Sequence, residues 1–300
     1  MEMLSEWWDI LVSGILRGGF YSLMAVGLSL LFGVMNIANF AHGELYMIGA
    51  YAAYFAFKVF GLGPIPSILA AGAVTFCAGV IFEKALFYPL RVRTKKNWVM
   101  NTFLVTLGLS IILQNGVKLC WGNTYRGITQ YWPGRVTWLS SMSIQMDRVV
   151  GFLIALFVIA IFVLFLNKTQ TGRAIRAVSQ DETGALIVGI DLNRIQTLTF
   201  GLSAMLAGLA GACLLSINPA FPAMGLGPLY KSWFVAILVG MGNVGASIIG
   251  GLIVGLLETL SSSYIGGGWQ DVFSLSIIIL VLVFKPKGLF GVKGVKTVLE

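Results

Sequence analysis

Apolar runs of about twenty residues recur along this chain between short polar connections, the period expected of helices that cross a bilayer. The stretches near 9–33, 43–60, 64–87, 98–118, 148–167, 195–216 and 270–284 each read as such a helix. The run over 230–260 is too long for one straight crossing at roughly 1.5 Å per residue, and GMGNVG interrupts it. It divides into a short piece ending near Met241 and a helix from about Ala246 to Leu260. The pattern predicts an all-α polytopic membrane protein over 1–300, a single transmembrane domain with about eight transmembrane helices plus one short or re-entrant helix.

Composition agrees: 57% of the 300 residues are hydrophobic and 11% are charged, where soluble domains carry about a quarter charged residues. The net charge of +8 does not point to nucleic acid, because twelve of the twenty Lys and Arg fall in three short connections. These are Arg91, Arg93, Lys95 and Lys96; Lys168, Arg173, Arg176 and Arg194; and Lys285, Lys287, Lys293 and Lys296. No aromatic-basic surface interleaves with them. The positive-inside rule places all three in the cytoplasm, with the N-terminus outside and the C-terminus inside. The segment 119–147, rich in Trp and Tyr, is then an external loop and 168–194 a cytoplasmic one. Glu2, Glu6 and Asp9 stand where a signal peptide carries basic residues, so the first helix is expected to direct insertion. Cys77, Cys120 and Cys213 have neither metal nor redox spacing and read as core thiols.

The stretch GVMNIANFAHGELYMIGAYAAY over 33–54 places Asn36, Asn39, His42 and Glu44 between two strongly apolar segments. Polar side chains at that depth are expensive in lipid, so they line something wet or are buried in protein. His42-Gly43-Glu44 matches the opening of a zinc deaminase signature, but the Pro-Cys-x-x-Cys that completes it is absent. Two readings stand: a helix break beside a polar pathway, with these four residues lining or gating it, and a purely structural cap.

GMGNVG fits Gly-x-Gly-x-x-Gly letter for letter, but SWFVAILV and ASIIGGLIVGLL flank it where a dinucleotide fold needs a strand and a soluble helix. Gly240, Gly242 and Gly245 therefore read as a helix break. Gly14 with Gly18, Ala204 with Gly208, Ala207 with Gly211, and Gly251 with Gly255 form small-xxx-small pairs that let helices approach closely.

The loop TGRAIRAVSQDETGALIVGIDLNR over 171–194 is too long for a tight turn and too apolar for a solvated linker. Read as one helix it gathers Ile175, Val178, Leu186 and Gly189 on one side, interrupted by Glu182, with Arg173 and Arg176 elsewhere. Such a helix lies on lipid headgroups or docks into a groove of a partner protein. Asp181 and Glu182 favour the partner, since anionic lipid repels them.

Taken in order and spacing, GLSLLFGVMNIANFAHGELYMIGAY, GRAIRAVSQDETGALIVGI, VGMGNVGASIIGGLIVGLLE and the closing VFKPKGLFG resemble a LivH-type permease, a membrane subunit of the branched-chain amino acid family of ABC importers. The likeness runs from Trp8 to Gly291. It implies a transport subunit of the bacterial cytoplasmic (inner) membrane, without enzymatic activity, metal or bound cofactor. ATP is used by two separate ABC ATPase subunits, in keeping with the absence of Gly-x-x-x-x-Gly-Lys-Ser/Thr here. It also implies a second, LivM-like permease subunit and an extracytoplasmic substrate-binding protein. Gly172 to Ile190 is by resemblance the ATPase coupling loop, with Arg173, Arg176, Asp181, Glu182, Ala185 and Gly189 as its docking residues. Gly184 departs from the acidic-alanine pattern usual there. The family also includes permeases for urea, amides and aromatic acids. From another class, a stand-alone channel or secondary carrier shares broken helices and buried polar groups, but has no need of a docking helix at 171–190.

The orientation is open to a direct measurement. An alkaline phosphatase fusion after Lys293 is expected to be inactive and one within 123–135 active; the reverse pattern overturns the assignment.

Overall fold

The computed structural model describes residues 2–94, 98–137 and 143–291. Lys95, Lys96, Lys293 and Lys296, which complete two basic clusters, lie outside these. The chain opens with α1 (Glu2–Met35), whose 34 residues extend about 51 Å. Then come α2 (His42–Lys58) and α3 (Pro64–Phe82), which continues through a π-helical turn (Glu83–Phe87) into α4 (Tyr88–Arg93). After α5 (Trp98–Trp121), strands β1 (Arg135–Thr137) and β2 (Ser143–Gln145) pair antiparallel in a small hairpin. Next are α6 (Met146–Lys168), the short α7 (Gln170–Gln180) and α8 (Glu182–Ile187), and α9 (Leu192–Leu214). The chain closes with α10 (Leu226–Val239), α11 (Val244–Tyr264) and α12 (Gln270–Phe284).

Seven helical segments are long and apolar enough to cross a membrane. The chain is a multi-pass membrane protein. One end of the bundle carries the hairpin and the other carries α7 and α8. Among the described residues two further passes are broken. The helix expected over 43–60 is only the 17 residues of α2, about 26 Å, and non-helical backbone over 36–41 precedes it. The short piece expected before Met241 is α10, 14 residues long and preceded by irregular chain over 215–225. Hydropathy could not separate α2 from a full span, because the approach to it is itself apolar.

α1 and α9 are the most enclosed helices, while the outward faces of α3, α5, α6 and α12 remain apolar and uncovered, as with Leu69, Ile112, Phe157 and Val283. The small-residue pairs lie where helices touch. A methyl built on Gly255 would stand 2.5 Å from Gly18 Cα, one on Gly208 would meet Thr75, and one on Gly211 would stand 2.1 Å from the Tyr46 carbonyl oxygen. Without a hydrophobic drive between helices in lipid, this close fit and its hydrogen bonds supply the cohesion. Ser22 Oγ donates to the Ile248 carbonyl at 2.7 Å, and the Ser29 and Ser247 hydroxyls meet at 2.6 Å, tying α1 to α11. Cys213 is buried, but Cys77 and Cys120 are exposed, which corrects their reading as core thiols.

GMGNVG is the turn between α10 and α11. Gly240 and Gly242 hold φ of +101° and +86°, a backbone that suits glycine, while Asn243 caps α11 by accepting from the Ala246 N–H at 3.0 Å. Gly245 lies in the first turn of α11, beyond the break to which the sequence assigned it. The closing VFKPKGLFG folds back here: Leu289 and Phe290 N–H donate to the carbonyls of Leu238 and Val239, at 2.8 and 3.0 Å.

Gly255→Leu should therefore force α1 and α11 apart and lower stability in detergent by about 1–3 kcal/mol or prevent assembly. Gly116→Ala, where nothing lies within 4 Å of an added methyl, should be neutral or stabilising. Equal thermal unfolding midpoints for the two would contradict the packing described.

Candidate functional site

The two broken passes meet. Non-helical chain brings His42 to half depth, where its Nε2 donates to the Met24 carbonyl at 3.1 Å, about 16 Å of helix from the Met35 end of α1. From this level α2 runs to the hairpin end and α10 to the opposite end. Their first turns touch through Gly43 and Gly225: a methyl on Gly43 would stand 2.4 Å from the Gly225 carbonyl oxygen, and one on Gly225 would stand 2.1 Å from that of Gly43. Two helix N-termini, each with outward-facing N–H groups and partial positive charge, thus abut inside the bundle.

Non-helical backbone at that depth must find partners in protein. Asn39 Oδ1 accepts from the Ala41 N–H at 3.0 Å, Thr106 Oγ1 donates to the Ala38 carbonyl at 3.3 Å, and Trp98 Nε1 donates to that of Met35 at 3.4 Å. Glu44, in the first turn of α2 and fully buried, accepts through Oε1 from Ser110 Oγ at 2.9 Å and Gln114 Nε2 at 2.7 Å. Asn39 Nδ2, His42 Nδ1 and Glu44 Oε2 have no hydrogen-bond partner among the described residues. The start of α2 thus carries buried polar atoms with unused hydrogen-bonding capacity, on the α1 side at His42 and on the α5 side at Glu44.

Of the four residues singled out at 36–44, three are buried but face different neighbours: Asn39 caps its own turn, His42 faces α1 and Glu44 faces α5. Asn36 stands apart: exposed, with φ of +53°, it ends α1 by donating its N–H to the Phe32 carbonyl at 2.8 Å. Ser110 and Gln114 were missed, although Thr102, Thr106, Ser110 and Gln114 recur every fourth residue along α5 and mark one polar face.

A second polar system was also missed. Lys231 of α10 donates to Glu258 of α11 and to Asp271 of α12, and Tyr21 Oη donates to the other Glu258 oxygen at 2.7 Å. Lys231 and Glu258 are buried, whereas the Asp271 side chain is 62% exposed. The signal was a lone Lys and a lone Glu inside apolar helices, which membrane proteins keep only when paired.

At the far end of the bundle the basic loop is built differently from the single helix expected. It breaks at Asp181, whose Oδ1 accepts from the Thr183 N–H at 3.0 Å and caps α8. Gly184 follows from this cap, since a methyl there would stand 2.6 Å from Asp181 Oδ2. Gly189, with φ of +84°, closes α8: its N–H reaches the Leu186 carbonyl and the Ile190 N–H reaches that of Ala185, both at 3.0 Å. Ile175, Val178 and Ala185 face the core, while Leu186, Ile187 and Val188 are exposed by 54, 81 and 74%. The single apolar side expected of Ile175, Val178, Leu186 and Gly189 is thus divided, the first two facing the core and the last two exposed, and Ala185 is a core contact. Arg173 and Glu182 are exposed, and Arg176, also exposed, donates to Asn167 Oδ1 at 2.9 Å. The loop is anchored to the bundle where Arg91 bridges Glu83 Oε1 and Asn193 Oδ1, at 3.1 and 3.2 Å, and Thr197 Oγ1 donates to Glu83 Oε2 at 2.7 Å.

Broken passes, a buried polar junction between them and an exposed apolar tip define a membrane transport permease. The chain belongs to the family described as branched-chain amino acid transport system / permease component, whose family model matches residues 10–282. It is 31% identical to the high-affinity branched-chain amino acid transport system permease protein BraD of Pseudomonas aeruginosa, over 94% of both chains. Identity to LivH of Escherichia coli, a permease protein of the same description, is also 31%, covering 93% of this chain and 94% of that one. LivM of E. coli, likewise described, is 24% identical over 90% of this chain and 67% of its own. No solved structure matches the chain.

The Lys231 network makes a graded expectation. Lys231→Met leaves Glu258 buried without its cation and should cost about 3–5 kcal/mol of stability; Lys231→Met with Glu258→Gln should recover most of it. Asp271→Asn, at a largely exposed position, should cost no more than about 1 kcal/mol. Thermal unfolding of the purified variants gives the ranking, and a double variant no better than Lys231→Met would mean that the charges are not mutually compensating.

Proposed function

We propose that this chain is a transmembrane permease subunit of an ATP-driven ABC importer for branched-chain or related amino acids. It sits in the bacterial cytoplasmic (inner) membrane with the hairpin end and N-terminus outside and the C-terminus in the cytoplasm. Its partners are a LivM-like second permease, two ABC ATPases that consume the ATP, and an extracytoplasmic substrate-binding protein; the chain itself carries no cofactor. The names of BraD and LivH support the substrate class, and the basic clusters support the orientation.

The observation that carries the reading is the tip Leu186–Ile187–Val188. An apolar patch exposed at the end of the doubly capped α8, with Asp181 and Glu182 at the start of that same short helix, suits a protein groove better than anionic lipid. A stand-alone channel or carrier has no use for it. In this reading closure of the ATPases moves the tip, and the junction of α2 and α10 opens to one side at a time. Asn39, His42 and Glu44 then line or gate the pathway, and Asn36 ends the helix that leads to it.

Ile187→Asp and Glu182→Lys test this at positions that touch little of the chain's own core. Both variants should insert normally, lose co-purification with the ATPases and lower ATP-dependent leucine uptake in proteoliposomes at least about tenfold, a loss of roughly 1.4 kcal/mol of docking energy. Normal uptake would make the loop a bystander and favour the carrier.

A further inference from the structure

At the hairpin end lies a cavity of about 540 Å³, within the roughly 300–1,000 Å³ usual for small-molecule sites. It is bounded by α1, the hairpin, the first turn of α6, the end of α9 and the start of α12. Three arginines from three elements line it, Arg17 of α1, Arg135 of β1 and Arg148 of α6, and no Asp or Glu does. Arg17 Nη1 donates to Gln270 Oε1 at 3.3 Å and Arg135 Nη1 to Ser143 Oγ at 3.3 Å, both neutral acceptors. Among the described residues none of the three forms an ion pair, and Arg17 and Arg148 stand close enough to repel each other.

Three guanidinium groups line the cavity while the nearby carboxylates of Glu258 and Asp271 are engaged by Lys231, a positive balance that favours an anion, and the planar guanidinium forks match a carboxylate in two-point contact. The basic clusters that orient this protein lie at the opposite end of the bundle, so insertion gives no reason for arginines here. Beside them Phe20, Leu214 and Ile217 offer an apolar wall, while Asn218 and Gln270 offer neutral side-chain oxygens. Asn218 also begins the irregular chain that leads to the first turn of α10 at the buried junction. A group that carries a carboxylate, an aliphatic side chain and an ammonium would find a partner for each part.

We infer that this cavity is the outer vestibule of the transport pathway and that Arg17, Arg135 and Arg148 receive the carboxylate of the transported amino acid. The inference rests on the function proposed above and adds a binding site to it. An anionic lipid headgroup presents the same oxyanion chemistry, and the experiment separates the two.

The complete permease, with its partner subunits, is placed in phosphatidylcholine nanodiscs with and without phosphatidylglycerol, and ligand binding is read by saturation-transfer NMR. L-leucine and 4-methylpentanoate, which both carry the carboxylate, should bind; L-leucinamide, which lacks it, should bind at least about tenfold more weakly. Arg148→Gln and Arg135→Gln, at exposed positions, should each weaken leucine about tenfold, and Arg148→Lys, which keeps the charge but loses the two-point fork, should fall between Arg148→Gln and the wild type. Leucinamide binding as well as leucine, or both Gln variants binding leucine as the wild type does, overturns the inference. So does leucine binding abolished by phosphatidylglycerol and restored in Arg148→Gln, which would assign the cavity to lipid. Because 4-methylpentanoate reports on the cavity whatever the transporter carries, its binding is separable from failure of the functional reading. That reading fails if the assembled wild-type transporter shows no ATP-dependent uptake of any branched-chain amino acid.

Discussion

Backbone N–H and C=O groups inside a bilayer must find partners in protein, and two stretches of this chain enter the bundle without the helix that would pair them internally. The residues around 36–41 and 215–225 are tolerable where other groups pair their backbone, as Asn39 does for the Ala41 N–H, Thr106 for the Ala38 carbonyl and Arg126 for both backbone groups of Ala220. Small residues on α9 and α1 let neighbouring helices approach, and from α5 the Thr106 hydroxyl and the Trp98 indole reach the carbonyls of Ala38 and Met35. Helices α2 and α10 are held with their first turns in contact at Gly43 and Gly225.

Two of the buried carboxylates, those of Glu44 and Glu258, are held by unlike means. Glu44 rests on two neutral donors and the N-terminus of its own helix, an arrangement that leaves one oxygen unused. Glu258 is matched by an ammonium and a phenol and has both oxygens engaged. The second ties α1, α10 and α11 together. Tyr21 and Asp271, which belong to this network, stand near Arg17 and Gln270 of the outer cavity, so the network adjoins the vestibule.

At the opposite end, rigidity is local. The π-helical turn brings Glu83 into reach of both Arg91 and Thr197, binding the end of α3 to the start of α9. The C-terminal segment braces α10 through backbone hydrogen bonds beside Gly240 and Gly288.

The sequence by itself determined the class, seven of the eight long helices expected, the close-packed glycine pairs and the interruption at Gly240, because each depends on local composition or spacing. The ordered motifs also carried the family. It located Asn39, His42 and Glu44, since polar residues in an apolar run are conspicuous wherever the chain goes. Tertiary structure alone decided what lies opposite them. That α2 starts at half depth depends on its neighbours pairing the backbone before it, and a hydropathy profile does not register such pairing. The meeting of Lys231 with Glu258, of Glu44 with Ser110, and of three arginines around one cavity joins residues up to more than a hundred positions apart. Spacing along the chain constrains none of those distances; only the packing of the helices does.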